Sequence, residues 1–400
     1  MNEKLQEQLA DIFTQRYKDF NDKILEELGK TINKFAKLTP TQAHKLAVQL
    51  KYNKSYKELI KELAKVAKMS QKDIKKILEE VAKQNIEFAD TFYKARGLKT
   101  PIYEDSKSLQ RLVNAYATIS SGNMFNLAKT TGFRLLDNKK NPLLLNFEKT
   151  YIEVIDRCVY ATMTGTNTFG EVMKNTISQL VDSGVRNIEY RSGYTQRLDS
   201  AVRRNVLDTM RELNNEVQVQ FGEEFEADGV EISTHENPAP DHEDVQGRQF
   251  AKEEFNKFQE QKRCEDTNGN VYNDITDIQR RAISTLNCYH YVFSIILGVS
   301  KPLKSNAQLE AIKKRNESGV KIDDKDYTMY QVTQIQRKIE TEIRKEKDNI
   351  AINRFIDTEQ AKQEVINSNK RIKLLRAKYN EICKISGLSN RLKTKARVYR

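Results

Sequence analysis

Long stretches of this sequence repeat apolar residues at steps of three and four, which is the spacing of one face of an α-helix. The clearest stretch runs from Tyr194 to Phe221, and its apolar positions are Leu198, Val202, Val206, Met210, Leu213 and Val217. The first 37 residues carry the same pattern. With only 15 Gly and 6 Pro among 400 residues, few breaks interrupt such helices. The sequence therefore predicts a mainly α-helical protein.

Capping residues and turn-rich segments divide the chain. Thr39-Pro40-Thr41-Gln42 combines an N-cap, a proline at the first helical position and a Gln that closes a capping box. Ser70 to Asp73 is interpreted as the start of a further helix. Breaks at 97–106 and 137–142 separate an N-terminal helical module, residues 1–150, from a helical connector at 151–228.

Residues 229–300 differ from the rest because they hold three of the four histidines and two of the four cysteines. The runs 230–233 and 289–297 are rich in β-branched and aromatic residues and predict strands. Asn268-Gly269 predicts a hairpin turn, while 252–263 and 274–285 have helical spacing. We therefore expect a small α+β domain around a short β-sheet, flanked by elongated N-terminal and C-terminal helical arms.

The scarce side chains of this segment are candidate metal ligands: His235, His242, Cys264, Cys288 and His290. Cys288 and His290 are two apart on a predicted strand, so they leave the same face. Zinc takes four such nitrogen and sulfur donors in closed structural sites. However, the sequence has no Cys-x-x-Cys or His-x-x-x-His pair. The pattern favours hydrogen-bonded polar residues, no cofactor and substoichiometric zinc; a structural zinc site is the alternative.

The same segment contains a longer motif. His235-x-x-Pro238-x-x-Asp241-His242-x-x-x-Gln246-Gly247 is followed by Asn268-Gly269, Asn287-Cys288-x-His290 and Gly298. This arrangement resembles the phage minor capsid proteins, a family of head-morphogenesis proteins. The resemblance covers residues 150–400, and the first 150 residues match no family that we name. Ala239-Pro240 and Tyr289 stand where that family commonly has arginines.

The resemblance implies a structural role for the motif residues and for the whole chain. It predicts a minor head protein of a tailed phage, bound at or near the portal, which assists procapsid assembly. Portal protein and other head proteins are then the expected partners, with residues 1–150 as the docking module. The chain is expected to be made in the host cytoplasm and to reside in the virion.

The C-terminal region, residues 301–400, carries 25 Lys and Arg against 13 Asp and Glu, a balance of +12 that equals that of the whole chain. Such a basic helical region is either a solvated surface or a contact with a polyanion such as packaged DNA. No membrane contact is expected, because the longest apolar run, 291–299, is about half of a membrane span.

An enzymatic alternative is a metal-dependent nucleic-acid hydrolase, with His242 as a base beside Asp241 and Asp244. This spacing is not specific, and the sequence has no Gly-x-Ser-x-Gly or phosphate-binding Gly-rich motif. A Cys288 nucleophile served by His290 is unfavourable, because side chains two apart on a strand point alongside each other. We therefore expect that the protein is not an enzyme.

Overall fold

The computed structural model describes residues 3–53, 56–137, 139–163, 169–188, 194–285 and 288–392. Within these ranges the chain is mainly α-helical with a small α+β part, which confirms the predicted fold class. The helices are α1 (Glu3–Phe35), α2 (Pro40–Asn53), α3 (Tyr56–Ala95), α4 (Lys107–Lys129), α5 (Phe147–Met163), α6 (Phe169–Ser183), α7 (Leu198–Glu224), α8 (Lys252–Gln259), α9 (Asn306–Ser318), α10 (Met329–Asn353) and α11 (Glu359–Ser386).

The strands are short and pair in an antiparallel manner. They are β1 (Thr131–Leu136), β2 (Pro142–Asn146), β3 (Arg186–Ile188), β4 (Thr195–Arg197), β5 (Gly229–Ile232), β6 (Gln249–Ala251), β7 (Cys264–Glu265), β8 (Val271–Tyr272), β9 (Val292–Ile295), β10 (Val320–Ile322) and β11 (Lys325–Tyr327). Their sheet orders are β2-β1-β3-β4, β6-β5-β9, β7-β8 and β10-β11.

Helix α7 carries the apolar stripe that the sequence predicts. All six of its repeating residues, from Leu198 to Val217, are buried. Helices α1, α3 and α4 pack against α7, and β9 of the second sheet also contacts it. Most of the free energy that holds such an amphipathic helix comes from burying this face rather than from helix propensity. Helix α7 thus connects the helical part of the chain to the small sheet.

In the part of the chain that the structure describes, buried apolar side chains form three clusters. The largest draws on α1 to α7 and on residues near the α10–α11 turn, such as Ile352, and we call it the helical body. A second cluster, which includes Phe250, Phe258 and Tyr272, lies within residues 229–300, which we call the motif module. The third joins α10, α11 and the β10–β11 hairpin around Tyr379. The predicted domain boundaries remain predictions.

Helix ends follow the expected capping chemistry. The predicted box at the start of α2 is present, with Gln42 N–H donating to Thr39 Oγ1 and Thr39 N–H donating to Gln42 Oε1 at 3.0 Å. Matching boxes begin α9 at Ser305 and α10 at Thr328. Helix α11 ends at Gly387, whose φ of 68° is the left-handed conformation that glycine adopts without strain.

The predicted helix at 274–285 is wrong. The described backbone there forms turns and irregular segments, and Ile275, one of its apolar residues, is 100% exposed. Polar partners replace the helical hydrogen bonds: the Gln259 side chain bonds both the N–H and the carbonyl oxygen of Ile283. Arg280 forms ion pairs with Asp244 and Asp277, each at 2.5 Å. Tertiary contacts therefore override the local helical pattern.

Other boundaries differ from the sequence prediction. Helix α3 begins at Tyr56 and runs through Ser70. The break at 137–142 lies in the turn of the β1–β2 hairpin. Strand β9 covers only Val292–Ile295 of the strand predicted at 289–297. The residues before it, Cys288 to Tyr291, form non-regular backbone. Apolar β-branched runs show that a strand exists, but their ends are set by the partner strand.

Buried ion pairs tie α10 to the rest of the helical body. Arg197 Nη2 lies 2.7 Å from Asp348 Oδ2, and Arg344 Nη1 lies 2.6 Å from Asp199 Oδ2. These side chains are almost completely removed from solvent. Within the described residues, no helix is long and apolar enough to span a bilayer.

Candidate functional site

The three-stranded sheet β6-β5-β9 is the frame of the candidate site. Strand β5 is central, pairing Val230 with Phe250 on one side and with Ser294 on the other. The loop from β5 to β6 carries the first half of the motif, and the segment that leads into β9 carries the second half. The sheet therefore brings together two motif halves that are about fifty residues apart in sequence.

The β5–β6 loop is fixed by its own motif residues. Gln246 Oε1 accepts a hydrogen bond of 3.1 Å from the N–H of His235, and Gly247 N–H donates to the carbonyl of Ile232 at 2.8 Å. A Cβ at Gly247 would lie 2.5 Å from Leu309 Cδ2, and its φ is +70°. Only glycine fits this position without strain, so Gln246 and Gly247 shape the loop.

Three predicted ligands converge, and we call them the His–Cys cluster: His242, Cys288 and His290. One ligand atom from each lies within 4.8 Å of the other two, and all three residues are buried. Cys288 Sγ is 3.5 Å from His242 Nδ1 and 3.4 Å from His290 Nδ1. His242 is placed by a short 3₁₀ turn, Pro240–His242. The sequence pattern thus identified three side chains that meet.

Two other candidates lie apart from this cluster. Cys264 is in β7, inside the apolar core of the motif module, where burial raises the pKa of its thiol to about 11. His235 packs against His290 with ring centroids 4.4 Å apart and ring planes tilted by 45°, while its Nδ1 lies 3.1 Å from the carbonyl oxygen of Glu236. His235 therefore forms part of the wall beside the cluster.

The remaining motif residues have structural positions. Pro238 is buried, and Asn268-Gly269 forms the predicted turn between β7 and β8, with Gly269 at φ +81°. Gly298 has a φ of +79° just after β9. The Asn268 N–H donates to Asp266 Oδ1 at 2.8 Å. Asn287 lies outside the described residues.

The electrostatics of the cluster follow from burial and mutual contact. Burial disfavours both charges, but the hydrogen bond and charge between His242 and Cys288 outweigh it. They hold the pKa of the Cys288 thiol below its usual range and the pKa of His242 above its own. Burial, followed by repulsion from the neighbouring histidines, lowers the pKa of His290. Burial lowers the pKa of His235 to about 4.

The cluster lies in the wall of a cavity of about 530 Å³ between α7, α10 and the motif module. We call it the arginine cavity because of the residues that line it: Arg203, Arg204, Arg211, Arg281, Arg337, Arg344 and Arg391. Sequence reasoning did not predict this convergence. The pair Arg203-Arg204 and the residue Arg337 stand in the sequence as basic positions on helices, but no local signal shows that α7 and α10 face each other.

Several of these arginines are neutralised by carboxylates. Arg281 holds Asp241 with two bonds, of 2.6 Å and 3.0 Å. Arg211 pairs with Asp208 at 2.8 Å and also donates to the Cys288 carbonyl oxygen at 2.8 Å. These contacts reduce the positive potential next to the cluster and fix the backbone at Cys288.

The carboxylates of the hydrolase alternative are engaged by arginine. Asp241 pairs with Arg281 and Asp244 with Arg280. His242 Nε2 lies 2.8 Å from the carbonyl oxygen of Arg281. Within the described residues this constellation has the contacts of a structural network, in which each proposed catalytic group already has a protein partner.

Comparison with known proteins places the chain in a class. A family model described as Phage minor capsid protein 2 matches residues 1–382. Proteins of this class are structural components of phage heads, and the chain is therefore a structural head protein and a virion component. It belongs to the Phage minor capsid protein 2 family. No curated protein and no solved structure matches it.

The family match corrects one expectation. We expected the first 150 residues to lie outside the resemblance, but the match begins at residue 1. The packing gives the reason: α1 and α3 pack against α7, so the N-terminal helices belong to the same core. Helices with repeated apolar spacing occur in many proteins, so this region has no motif by which the family can be identified on inspection.

Proposed function

We propose that this protein binds at or near the portal of a tailed phage head, in a few copies, and assists procapsid assembly. The observation that supports this most is the match to the minor capsid family over residues 1–382. Head proteins of this kind function by contacts with other chains, so the proposal requires an exposed docking surface.

Helices α2 and α5 offer such a surface. Tyr52 on α2 is 79% exposed and Tyr160 on α5 is 63% exposed. An ion pair of 2.5 Å between Lys51 Nζ and Asp156 Oδ1 joins the two helices next to these tyrosines. Exposed aromatic side chains are enriched at protein interfaces and supply much of the binding energy there. We assign the head contact to this tyrosine patch, Tyr52 and Tyr160.

The test is incorporation of full-length variants into heads of a phage that lacks the native gene. Tyr52→Glu combined with Tyr160→Glu removes two anchors, each worth about 2 kcal/mol or more at a hot spot. We expect incorporation, measured by quantitative mass spectrometry of purified heads, to fall at least about tenfold. Both residues are exposed, so the circular dichroism and melting temperature stay unchanged.

Ile275→Glu is the matched control, because Ile275 is fully exposed but lies in the motif module. This variant should enter heads at the native level. Normal incorporation of the double tyrosine variant would contradict the assigned surface. Binding to purified portal protein then shows whether the portal itself is the partner.

We further propose that α11 contacts packaged DNA. Its exposed face carries a basic stripe, Lys370, Lys373, Arg376 and Lys384, and these residues form no ion pair with the described part of the chain. The stripe extends over about 21 Å of helix. A duplex presents roughly one phosphate charge per 1.7 Å of its axis, so several phosphates face such a length. This contact reads no sequence.

Replacing the four basic residues with Gln tests the DNA contact. The slope of log affinity against log salt should become shallower by about 3 to 4, because each phosphate contact contributes roughly 0.9. The matched control has four Lys→Gln changes on one exposed face of α3, at Lys61, Lys65, Lys72 and Lys76. An unchanged slope in the α11 variant, or an equal change in the control, would refute a specific role for α11.

A further inference from the structure

We propose that the His–Cys cluster is a zinc site in which His242, the Cys288 thiolate and His290 hold one Zn²⁺ and leave the fourth coordination position open toward the arginine cavity. Nitrogen and sulfur donors of this kind suit zinc better than calcium or magnesium, which prefer oxygen. The sequence spacing alone favours a metal-free cluster. The folded structure brings one donor atom from each of the three residues within 4.8 Å of the others, which the sequence spacing alone does not show.

The distances between donor atoms fit a tetrahedral ion. With Zn–S near 2.3 Å and Zn–N near 2.0–2.1 Å, the sulfur and each nitrogen of a tetrahedral site lie about 3.5 Å apart. Cys288 Sγ is 3.5 Å from His242 Nδ1 and 3.4 Å from His290 Nδ1. Two edges of the coordination tetrahedron are therefore already formed without any movement of the chain.

The outer contacts of the cluster also match a metal site. A histidine that ligates a metal usually donates its other ring N–H to a carbonyl or carboxylate, which fixes the ring and its tautomer. His242 Nε2 lies 2.8 Å from the Arg281 carbonyl oxygen, so Nδ1 is left facing the sulfur. Arg211 holds the carbonyl oxygen of Cys288 at 2.8 Å and thereby fixes the ligand backbone.

Hydrogen bonding within the described chain accounts for only one nitrogen of His290, because Nδ1 faces Cys288 Sγ at 3.4 Å. This ring is only 1% exposed, and its Nε2 has no hydrogen-bond partner among the described residues. The polar contact of the ring among the described residues is therefore at Nδ1, the nitrogen that we assign as the zinc ligand.

The charge around the cluster permits a dication. The thiolate supplies one negative charge, and Asp241 lies 3.7 Å from His242 Nε2. Arg281 and Arg211, the arginines nearest to the cluster, are paired with Asp241 and Asp208. His235 is outside the group of mutually close ligand atoms, so the fourth position belongs to a water molecule of the cavity.

The test is the zinc content of the full-length protein, purified without chelators, incubated with ZnCl₂ and then desalted. We expect about one zinc per chain by mass spectrometry of the metal, in line with the affinity of protein zinc sites. Cys288→Ser and His290→Gln should each lose most of it. Cys264→Ser is the matched control, because Cys264 is a buried cysteine of the same module outside the cluster.

A second readout covers the case in which a ligand variant fails to fold. Cobalt added to the unmodified protein should give a cobalt–thiolate charge-transfer band, and X-ray absorption of the zinc form should show one sulfur and two nitrogen neighbours. Zinc near zero after incubation, loss of zinc in Cys264→Ser equal to that in Cys288→Ser, or a coordination shell without sulfur would each overturn the site.

Discussion

The helical body and the motif module are stabilised by different means. In the helical body, stripes such as that of α7 bury large apolar side chains, and polar contacts are added at the edges. The motif module has a much smaller apolar cluster, and its long loops are held by side chains such as Gln246, Gln259 and Arg280. Loss of apolar volume should therefore affect the body most, whereas loss of polar contacts should affect the module most.

The largest effect is expected from a cavity in the helical body. Phe221 is completely buried and contacts Tyr93 edge to face, with ring centroids 5.7 Å apart. Phe221→Ala should lower the free energy of unfolding by about 3–5 kcal/mol. Denaturant unfolding followed by circular dichroism measures it. Val219→Ala on the exposed face of the same helix should change it by less than about 0.5 kcal/mol; similar losses in both would contradict the comparison.

A backbone change tests the module. Gly247→Ala adds a Cβ 2.5 Å from Leu309 Cδ2 at a φ of +70°. The expected loss of stability is about 2–3 kcal/mol from strain and steric overlap together. Gly298→Ala meets no atom within 4 Å at a φ of +79°, so it isolates the strain and should cost about 1 kcal/mol. Equal melting temperatures for the two variants would argue against the tight packing of the loop.

Loss of Arg280 tests the polar network that replaces the predicted helix. Its guanidinium is 3% exposed and pairs with Asp244 and Asp277. Arg280→Met keeps most of the volume and should destabilise the module by about 2 kcal/mol, less than a fully buried pair because the carboxylates are partly exposed. Hydrogen exchange should increase at 274–285 and not in α7. Arg263→Met, at an exposed pair with Asp274, serves as the near-silent control.

The smallest effect concerns Lys347, a partly buried charge on α10. Burial, together with the charges of Lys18 and Arg376, lowers the pKa of Lys347 to about 7, against the opposing charges of Asp22 and Asp348. Between pH 7 and 10 the unfolded chain keeps this proton while the folded chain has lost it, so stability rises with pH in that window.

Lys347→Met should therefore be more stable than the native protein at pH 6, and the difference should shrink toward pH 10. We expect a difference of at least about 1 kcal/mol at pH 6. Thermal unfolding at a series of pH values measures it. A constant difference between the two proteins across this range would show that Lys347 does not titrate as its burial implies.

The sequence predicts the body better than the module for a physical reason. Helical periodicity is local, so the stripe of α7 and the start of α2 at Pro40 follow from neighbouring residues. The segment at 274–285 has the same local spacing, but Gln259 and Arg280 draw its backbone and side chains into other contacts. His242 and Cys288 were identified by residue type, whereas their distance depends on the pairing of β5 with β9.

The arginine cavity could not be predicted from the sequence. Its residues come from α7, the motif module and α10, and helix packing that joins positions such as Arg211 and Arg344 has no signature in either helix alone. Basic residues are common on solvated helix faces, so their number did not indicate a shared cavity.

This chain is a structural component of the phage head, and we propose that it joins its neighbours through its helical body. Cross-linking mass spectrometry of purified procapsids tests this most directly. We expect cross-links from lysines beside the tyrosine patch, such as Lys51, to the portal or another head protein. Purified, fully assembled procapsids that contain none of this chain would contradict it.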